Sequence, residues 1–285
     1  MILAALHSPL SSKFEALALP WRLAETRIGA TVGLLLSLMV AHLAAEEPQA
    51  GTQLPGRVLY VLAAQIDTRV LARGEEPNSR EARLLAKLTE ERSVKFYSRI
   101  QARVLYGDEA NRSNILKGFQ WLRANMGERD VALVFIAGHG SYDATRHQYA
   151  YHPVGGPIKA AEFRRAFNNI PGTKVLLLQS CHANGVLETA QGEKPFRKTM
   201  VICACDDDEE ATRLMGYVMV NGIAKYAAGS DGIVTTQSLA KWISARVPTL
   251  SKGKQHVQIS RPPLFADFPL ASKGELIDPD LTGRF

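Results

Sequence analysis

Two apolar runs in this chain each end in a side chain that can take part in nucleophilic catalysis. The run VALVFIAGHG ends in His139 and Gly140, and the run KVLLLQSCHANG carries Cys181 just after its last apolar residues. A cysteine thiol becomes a strong nucleophile when a nearby base removes its proton, and histidine is suited to that task near neutral pH. The residue types therefore predict a Cys181–His139 pair in a nucleophilic hydrolase.

The spacing of this pair indicates how its two side chains could meet. His139 and Cys181 are 181 − 139 = 42 residues apart, which leaves room for a loop, a helix and the second strand of one βαβ unit. Ligands of open parallel sheets bind beyond the carboxyl ends of the strands. Because each residue follows a buried strand, we expect both at one edge of one sheet. His182 also follows the nucleophile, but consecutive side chains at a strand end point apart, which favours His139 as the base.

The rest of the chain alternates strand-like with helix-like stretches. Strands are predicted over 57–66, 101–106, 131–137, 175–179 and 200–204, and helices over 78–91, 113–127, 159–167, 216–228 and 236–247. Ser113 is the expected N-cap of the second helix. Continuously apolar strands are typical of a sheet covered on both faces. The pattern predicts an α/β fold with a mainly parallel sheet and right-handed crossovers.

Composition excludes some function classes. With 46% hydrophobic and 22% charged residues, the 285-residue chain is ordinary globular protein. Its 34 Lys and Arg against 28 Asp and Glu give a net charge of +6, but no basic block is visible, so nucleic acid is not an expected partner. The three cysteines lack the spacing of a zinc site or a disulfide framework, and no metal is predicted. We expect Cys203 and Cys205 to be buried structural thiols.

The N-terminal residues 1–45 are predicted to export or anchor the protein. Residues 28–41 form an uncharged apolar stretch after Arg22 and Arg27, as in an export signal. Extension of this stretch to residue 45 makes a short membrane anchor conceivable, so a cleaved signal and a retained anchor both stay open. We expect an exported protein, whether periplasmic, secreted or membrane-anchored, rather than a cytoplasmic one, with residues 28–45 as its membrane contact.

The remaining boundaries follow from composition. The segments are a linker over 46–55, a single domain over 56–270 and a C-terminal tail over 271–285. Two prolines and a glycine mark the linker.

Taken in order, the motifs resemble those of the caspase-like cysteine peptidases, the group that contains caspases, metacaspases and paracaspases. The motifs are the strand ending His139-Gly140, the strand ending QSCH at 179–182 and the stretch ACDDDEEA at 204–211. The C-terminal stretch GIVTTQSLAKWISARV is similar to that of bacterial members. The resemblance covers residues 57 to about 270 and implies a caspase-like three-layer α/β sandwich, with a central sheet of about six strands and helices on both faces.

The resemblance also implies an activity and roles for the residues. The protein would be a cysteine endopeptidase in which Cys181 attacks the scissile carbonyl and His139 gives a proton to the leaving amine. Backbone N–H groups of Gly140 and Cys181 would form the oxyanion hole. The expected partner is a protein or peptide substrate. No cofactor is implied, and nothing in the sequence supports the calcium activation of some metacaspases.

The substrate residue before the scissile bond, P1, is predicted to be charged. Gln179 and Ser180 are expected to bind the substrate. Gln179 stands where metacaspases typically place an acid for a basic P1 residue and where caspases use glutamine with arginines for aspartate. Arg69 and Arg73 are candidates for such arginines. The acids that could instead favour Arg or Lys at P1 are Asp206, Asp207 and Asp208. These acids could alternatively begin a helix. The sequence slightly favours a basic P1 residue.

Two other kinds of function stay open. A legumain-like peptidase or transamidase shares the His-Gly and strand-cysteine arrangement, although the residues near the cysteine fit it less well. A non-catalytic adaptor of the caspase fold at the cell envelope would use the strand tips only for binding. The sequence predicts no oligomeric state.

Overall fold

The computed structural model of the protein describes residues 56–66, 81–189, 193–263 and 265–275. The chain divides into two units, 1–47 and 48–285, and every described residue belongs to the second. The candidate export segment, Arg69 and Arg73 therefore lie outside the described residues. Among the residues that are described, no helix is long and apolar enough to cross a membrane.

Strands and helices alternate along the described chain, as the sequence predicts. In order, they are β1 (Val58–Gln65), α1 (Glu81–Arg92), β2 (Arg99–Tyr106), α2 (Arg112–Asn125), β3 (Val131–Ala137), β4 (Gly140–Asp143), β5 (Gln148–Tyr151), β6 (Ile158–Lys159), α3 (Ala160–Asn169), β7 (Thr173–Gln179), β8 (Thr199–Cys203), α4 (Leu214–Asn221), β9 (Ile233–Thr235), α5 (Thr236–Leu250), β10 (Gln258–Ser260) and β11 (Pro269–Ser272). The five predicted strands agree with β1, β2, β3, β7 and β8 to within two residues at each end. Outside the five predicted strands lie the short strands β4, β5, β6, β9, β10 and β11.

A six-stranded sheet forms the middle layer, with strand order β10-β8-β7-β3-β1-β2. Strands β8, β7, β3, β1 and β2 are parallel, and β10 pairs antiparallel with β8. This confirms the predicted α/β sandwich with a mainly parallel sheet of about six strands. Two small antiparallel sheets, β4-β5-β6 and β9-β11, lie outside it.

Buried side chains fill both faces of the sheet. Side chains alternate along each strand, so that in β8 Met200 and Ile202 join one core and Val201 and Cys203 join the other. Helices α1, α4 and α5 complete the first core, and α2 and α3 complete the second. Cys203 and Cys205 are fully buried, as predicted.

Two local expectations were wrong. Helix α2 is capped by Asn111, whose side chain accepts a hydrogen bond from the Asn114 N–H at 3.0 Å, and not by Ser113. The extended backbone of Asn111 lets its side chain reach back to the first turn, whereas Ser113 is already helical. The acids 206–208 do not begin a helix either, because α4 begins only at Leu214.

Candidate active site

Strands β3 and β7 bring His139 and Cys181 to the same edge of the sheet. These strands are parallel neighbours, and Ala137 pairs with Gln179 at the last position of their register. Each candidate catalytic residue follows its strand by two positions. The Gly138 N–H donates to Gln179 O at 3.0 Å, which continues the pairing past the strand ends. The two residues predicted to react therefore lie at matching positions on adjacent strand tips.

A cleft of about 190 Å³ lies over these tips. Its lining consists of Gln65, Ile66, Ala137, Gly138, His139, Gln179, Ser180, Cys181, Ala211, Thr212 and Arg213. His139 is exposed and Cys181 is half-buried, so a substrate in the cleft can reach both. The sequence analysis missed Gln65, Thr212 and Arg213. Of these three, only Gln65 could have been recognised from the local sequence, because it is a polar residue at the end of an apolar strand.

Gly140 packs directly on the backbone of Cys181. A Cβ atom at this position would lie 2.3 Å from Cys181 O and 2.8 Å from Ser180 Oγ, so the close approach requires glycine.

The β4–β5 pairing also leaves the Gly140 N–H available. The His152 N–H donates to His139 O at 2.9 Å, which makes these two residues a hydrogen-bonded pair. Hydrogen-bonded and non-hydrogen-bonded pairs alternate along an antiparallel ladder, so the next pair, Gly140 and Tyr151, is non-hydrogen-bonded. The Gly140 N–H therefore points away from β5, as an oxyanion-hole donor must.

The β3 tip is further fixed by Tyr151. Its hydroxyl donates to Ala137 O at 2.9 Å, and burial raises the pKa of Tyr151 well above its usual range, so that it remains a donor. A Cβ at Gly138 would lie 2.6 Å from this hydroxyl. The backbone that carries His139 is thus packed tightly on its inner side.

Gln179 and Ser180 line the cleft and also tie its walls together. Gln179 is buried, and its Oε1 accepts a hydrogen bond from the Gly216 N–H of α4 at 2.5 Å. Ser180 Oγ shares a hydrogen bond with the Tyr149 hydroxyl of β5 at 2.6 Å. Both proposed substrate-binding residues therefore hold neighbouring elements in place.

The three acidic candidates, Asp206, Asp207 and Asp208, are not among the residues that line the cleft. Asp206 accepts hydrogen bonds from Asn184 Nδ2 at 2.8 Å and Gln258 Nε2 at 3.0 Å. Partial burial, and then the neighbouring Asp206 carboxylate, raise the pKa of Asp207.

One carboxylate oxygen from each of these acids lies within 4.8 Å of the others. The cluster is close enough to share a cation, but amide donors already occupy both oxygens of its Asp206 member.

Arg213 contributes an accessible charge to the cleft instead. Its NH2 group lies 3.4 Å from Glu81 Oε1 and 3.5 Å from Oε2. The Gln65 side chain donates to Glu81 Oε2 at the shorter distance of 2.6 Å. Side-chain exposure is 32% for Arg213 and 12% for Glu81. The positive member of this pair is therefore the one that a ligand can reach.

Gln255, a fully buried residue, supports the cleft wall that precedes α4. Its Oε1 accepts from the Thr212 N–H at 2.9 Å and from Thr212 Oγ1 at 2.8 Å, and its Nε2 donates to Ala204 O at 2.8 Å. No local sequence signal indicates this role, because the contacts join residues far apart in the chain.

The sequence model of the caspase domain matches residues 78–269, more than half of the chain. Similar solved structures include protein GSU0716 from Geobacter sulfurreducens, at 13% identity and a TM-score of 0.53, which covers 77% of this chain and 100% of that one. The Drosophila initiator caspase Dronc gives 14% identity and a TM-score of 0.50 over 75% of this chain and 82% of its own. Caspase-1 from Spodoptera frugiperda has 12% identity and a TM-score of 0.46, over 80% of this chain and 93% of its own. No curated protein gives a significant sequence match. At 13% and 14% identity, the first two structures bear on the fold alone. The domain match identifies the chain as a member of the caspase domain family.

Proposed function

We propose that the protein is a cysteine endopeptidase in which Cys181 is the nucleophile and His139 its acid–base partner. One observation carries the proposal. The register of β3 and β7 brings the two residues to matching positions over a cleft, and Gly140 packs against the backbone of Cys181.

The proposed reaction uses these groups in a fixed order. His139 takes the proton of the Cys181 thiol, and the thiolate attacks the scissile carbonyl carbon. The N–H groups of Gly140 and Cys181 stabilise the resulting oxyanion. His139 then gives its proton to the leaving amine, which breaks the C–N bond and leaves a thioester. Water loses a proton to His139, attacks the thioester and releases the acid, and the thiol is restored.

The charge of the P1 side chain can be argued from the cleft lining. The sequence slightly favours a basic P1 residue through Asp206, Asp207 or Asp208, but none of these acids lines the cleft. Arg213 and Gln179 do, and an accessible guanidinium binds a carboxylate through charge-assisted hydrogen bonds. The lining therefore supports a charged P1 residue of acidic type.

A panel of fluorogenic peptides with Asp, Asn, Arg or Lys at P1 tests both parts. We expect the wild-type protein to cleave a charged-P1 peptide, and Cys181→Ala to abolish this cleavage and its labelling by a thiol-directed probe. Full hydrolysis by Cys181→Ala would contradict the proposed nucleophile. Ligation of the product to an added amine would indicate a transamidase, and absence of turnover in the wild type would indicate an adaptor.

Replacement of Arg213 tests whether the cleft prefers an acidic or a basic P1 residue. We expect Arg213→Gln to lower kcat/KM for the Asp peptide by about 10–100-fold, because a hydrogen bond to a charged group is lost. The Asn peptide should change much less. Preferential cleavage of the Arg or Lys peptide by the wild type would reject the acidic preference and restore the basic one.

We also propose that residues 1–45 export the protein. The support is the apolar stretch 28–41 behind two arginines. Fractionation of cells that produce a C-terminally tagged protein should recover it outside the cytosol. Recovery of the full-length protein in the cytosol would contradict export.

A further inference from the structure

His182, the residue directly after the nucleophile, has a backbone conformation that residues other than glycine rarely adopt. Its φ and ψ are 58° and 27°, in the left-handed region that glycine, and to a lesser extent asparagine, occupy most readily. Such a conformation persists only where the surrounding contacts hold it, and it is concentrated at functional sites. The contacts of His182 therefore indicate what its conformation accomplishes.

Two hydrogen bonds join His182 to the loop 206–213. Its backbone N–H donates to Glu209 O at 2.9 Å, and its Nδ1 lies 2.7 Å from Asp207 O. A carbonyl oxygen can only accept, so Nδ1 must carry the proton and donate it. The left-handed turn therefore aims both donors of one residue at one loop.

This loop also carries part of the cleft wall. Its last three residues, Ala211, Thr212 and Arg213, line the cleft. The nucleophile lies at the β7 tip, whereas the proposed P1-binding side chain Arg213 lies at the end of this loop. His182 joins the two, since it is covalently attached to Cys181 and hydrogen-bonded to the loop. Cys181 Sγ also lies 4.0 Å from Ala211 O of the same loop.

We propose that His182 is a positioning residue, which holds loop 206–213 in register with Cys181 so that a substrate bound at P1 presents its carbonyl to the sulfur. This proposal rests on the proposed peptidase function. As a positioning residue, His182 acts through the loop that its Nδ1–H holds. A second base would instead act through Nε2, and its removal would slow alkylation of the Cys181 thiol as well as hydrolysis.

Two measurements on the same variants separate positioning from chemistry. Alkylation of Cys181 by iodoacetamide needs a reactive thiolate but no P1 contact, whereas peptide hydrolysis needs both. His182→Gly accepts the left-handed backbone but loses the ring hydrogen bond. His182→Asn tolerates that backbone and supplies an amide donor in place of the ring N–H. His147→Ala is the matched control, because His147 is also left-handed, at φ 52°, and bonds the Tyr142 hydroxyl outside the cleft.

We expect His182→Gly to lose about tenfold or more in kcat/KM for the best charged-P1 peptide, because reacting atoms displaced by a fraction of an ångström react more slowly. Its rate of alkylation at Cys181 and the pH profile of that rate should match the wild type. His182→Asn should recover most of the hydrolysis, and His147→Ala should leave both rates unchanged.

Several results would overturn the proposal. Hydrolysis by His182→Gly at the wild-type rate would show that the link is dispensable, and equal losses in alkylation and hydrolysis would indicate a base. If His182→Gly does not fold, a folded His182→Asn that loses hydrolysis as severely as Cys181→Ala would also reject it. A wild-type protein that alkylates at Cys181 but cleaves no peptide would reject the peptidase function itself, and a cleaving wild type with an indifferent His182 would reject only the positioning role.

Discussion

At the scale of single residues, three chemically identical thiols lie in different surroundings. Cys181 is half-exposed at the cleft, whereas Cys203 and Cys205 are fully buried. Burial raises the pKa of Cys205 to about 11 and that of Cys203 still further. Only a thiolate attacks an electrophile. The environment, and not the residue type, therefore distinguishes Cys181 as the accessible thiol.

Selective alkylation should follow from this difference. We expect iodoacetamide at pH 7.5 to modify the folded wild-type protein once, at Cys181, and the folded Cys181→Ala variant not at all. Mass spectrometry of the intact protein and its peptides measures this. Unfolding in urea should make Cys203 and Cys205 reactive in both proteins, which is the control for reagent and detection. Modification of either buried thiol in the folded protein would contradict the assignment.

A single methyl group should test the oxyanion hole. The Cβ of Gly140→Ala would lie 2.3 Å from Cys181 O. The backbone must therefore shift, and the N–H of residue 140 would no longer point at the oxyanion. Loss of one oxyanion donor costs about 10²–10³-fold in kcat, and we expect a fall of that order. Gly127→Ala is the matched control, because its Cβ would meet only Asp130 Oδ2, at 3.5 Å. Near-normal kcat in a folded Gly140→Ala would exclude this donor.

At the scale of elements, the sequence predicted the five parallel strands of the main sheet well and the cleft wall poorly. Strand β3 is a continuous apolar run, which predicts a buried strand from the sequence alone. Because β3 and β7 are both buried strands of a parallel sheet, the proximity of His139 and Cys181 could also be predicted. The wall formed by residues 211–213 depends on contacts such as Thr212 with Gln255, 43 positions apart in the chain. Contacts of this kind leave no periodic signal, so the sequence drew attention to the acids 206–208 and overlooked Arg213.

The same loop, 206–213, is anchored by an ion pair between His256 and Glu209. His256 Nδ1 lies 2.5 Å from Glu209 Oε1, and its backbone N–H donates to Oε2 at 2.7 Å. The hydrogen bond that the His256 ring donates to Glu209, with smaller contributions from Asp206 and Asp208, raises the pKa of His256 above its ordinary 6.5. Partial burial works to raise the pKa of Glu209, but the hydrogen bonds from His256 outweigh it and lower that pKa below 4.5.

The pair should therefore stabilise the fold in a defined range of pH. A raised histidine pKa gives stability that is complete below pH 6.5 and disappears as the pH rises through the folded value. A lowered glutamate pKa gives stability that is complete above pH 4.5 and disappears as the pH falls through the folded value. The stabilisation is complete between these limits.

Thermal denaturation of the wild type and His256→Gln measures this stabilisation. We expect the wild type to have a midpoint about 1–2 °C higher near pH 5.5, because an exposed pair contributes little. The difference should shrink by pH 8.5. His152→Gln is the control, since the His152 ring bonds a neutral partner, Ser141 Oγ, at 2.7 Å. A difference that grows with pH would refute the assignment.

At the scale of the whole molecule, one sheet serves two cores, and this sharing keeps the active edge in place. Strands β1, β3, β7 and β8 each contribute side chains to both faces. Neither core can loosen without freeing a face of the strands that carry Cys181 and His139. The cleft therefore depends on both layers of helices, although among the described residues only strand tips and loops line it.

Leucine truncations on opposite faces should show that the two cores unfold together. Leu122 of α2 lies in one core and Leu239 of α5 in the other, and both are buried. Each change to alanine should lower the free energy of unfolding by about 2–5 kcal/mol. Because the sheet separates the sites, the double variant should lose the sum to within about 0.5 kcal/mol. Urea unfolding measures these values, and variants that retain only Trp121 or only Trp242 report on each face by fluorescence. Coincident transitions are expected of one cooperative domain, and two separate transitions would show that one layer of helices can leave while the sheet and its catalytic edge persist.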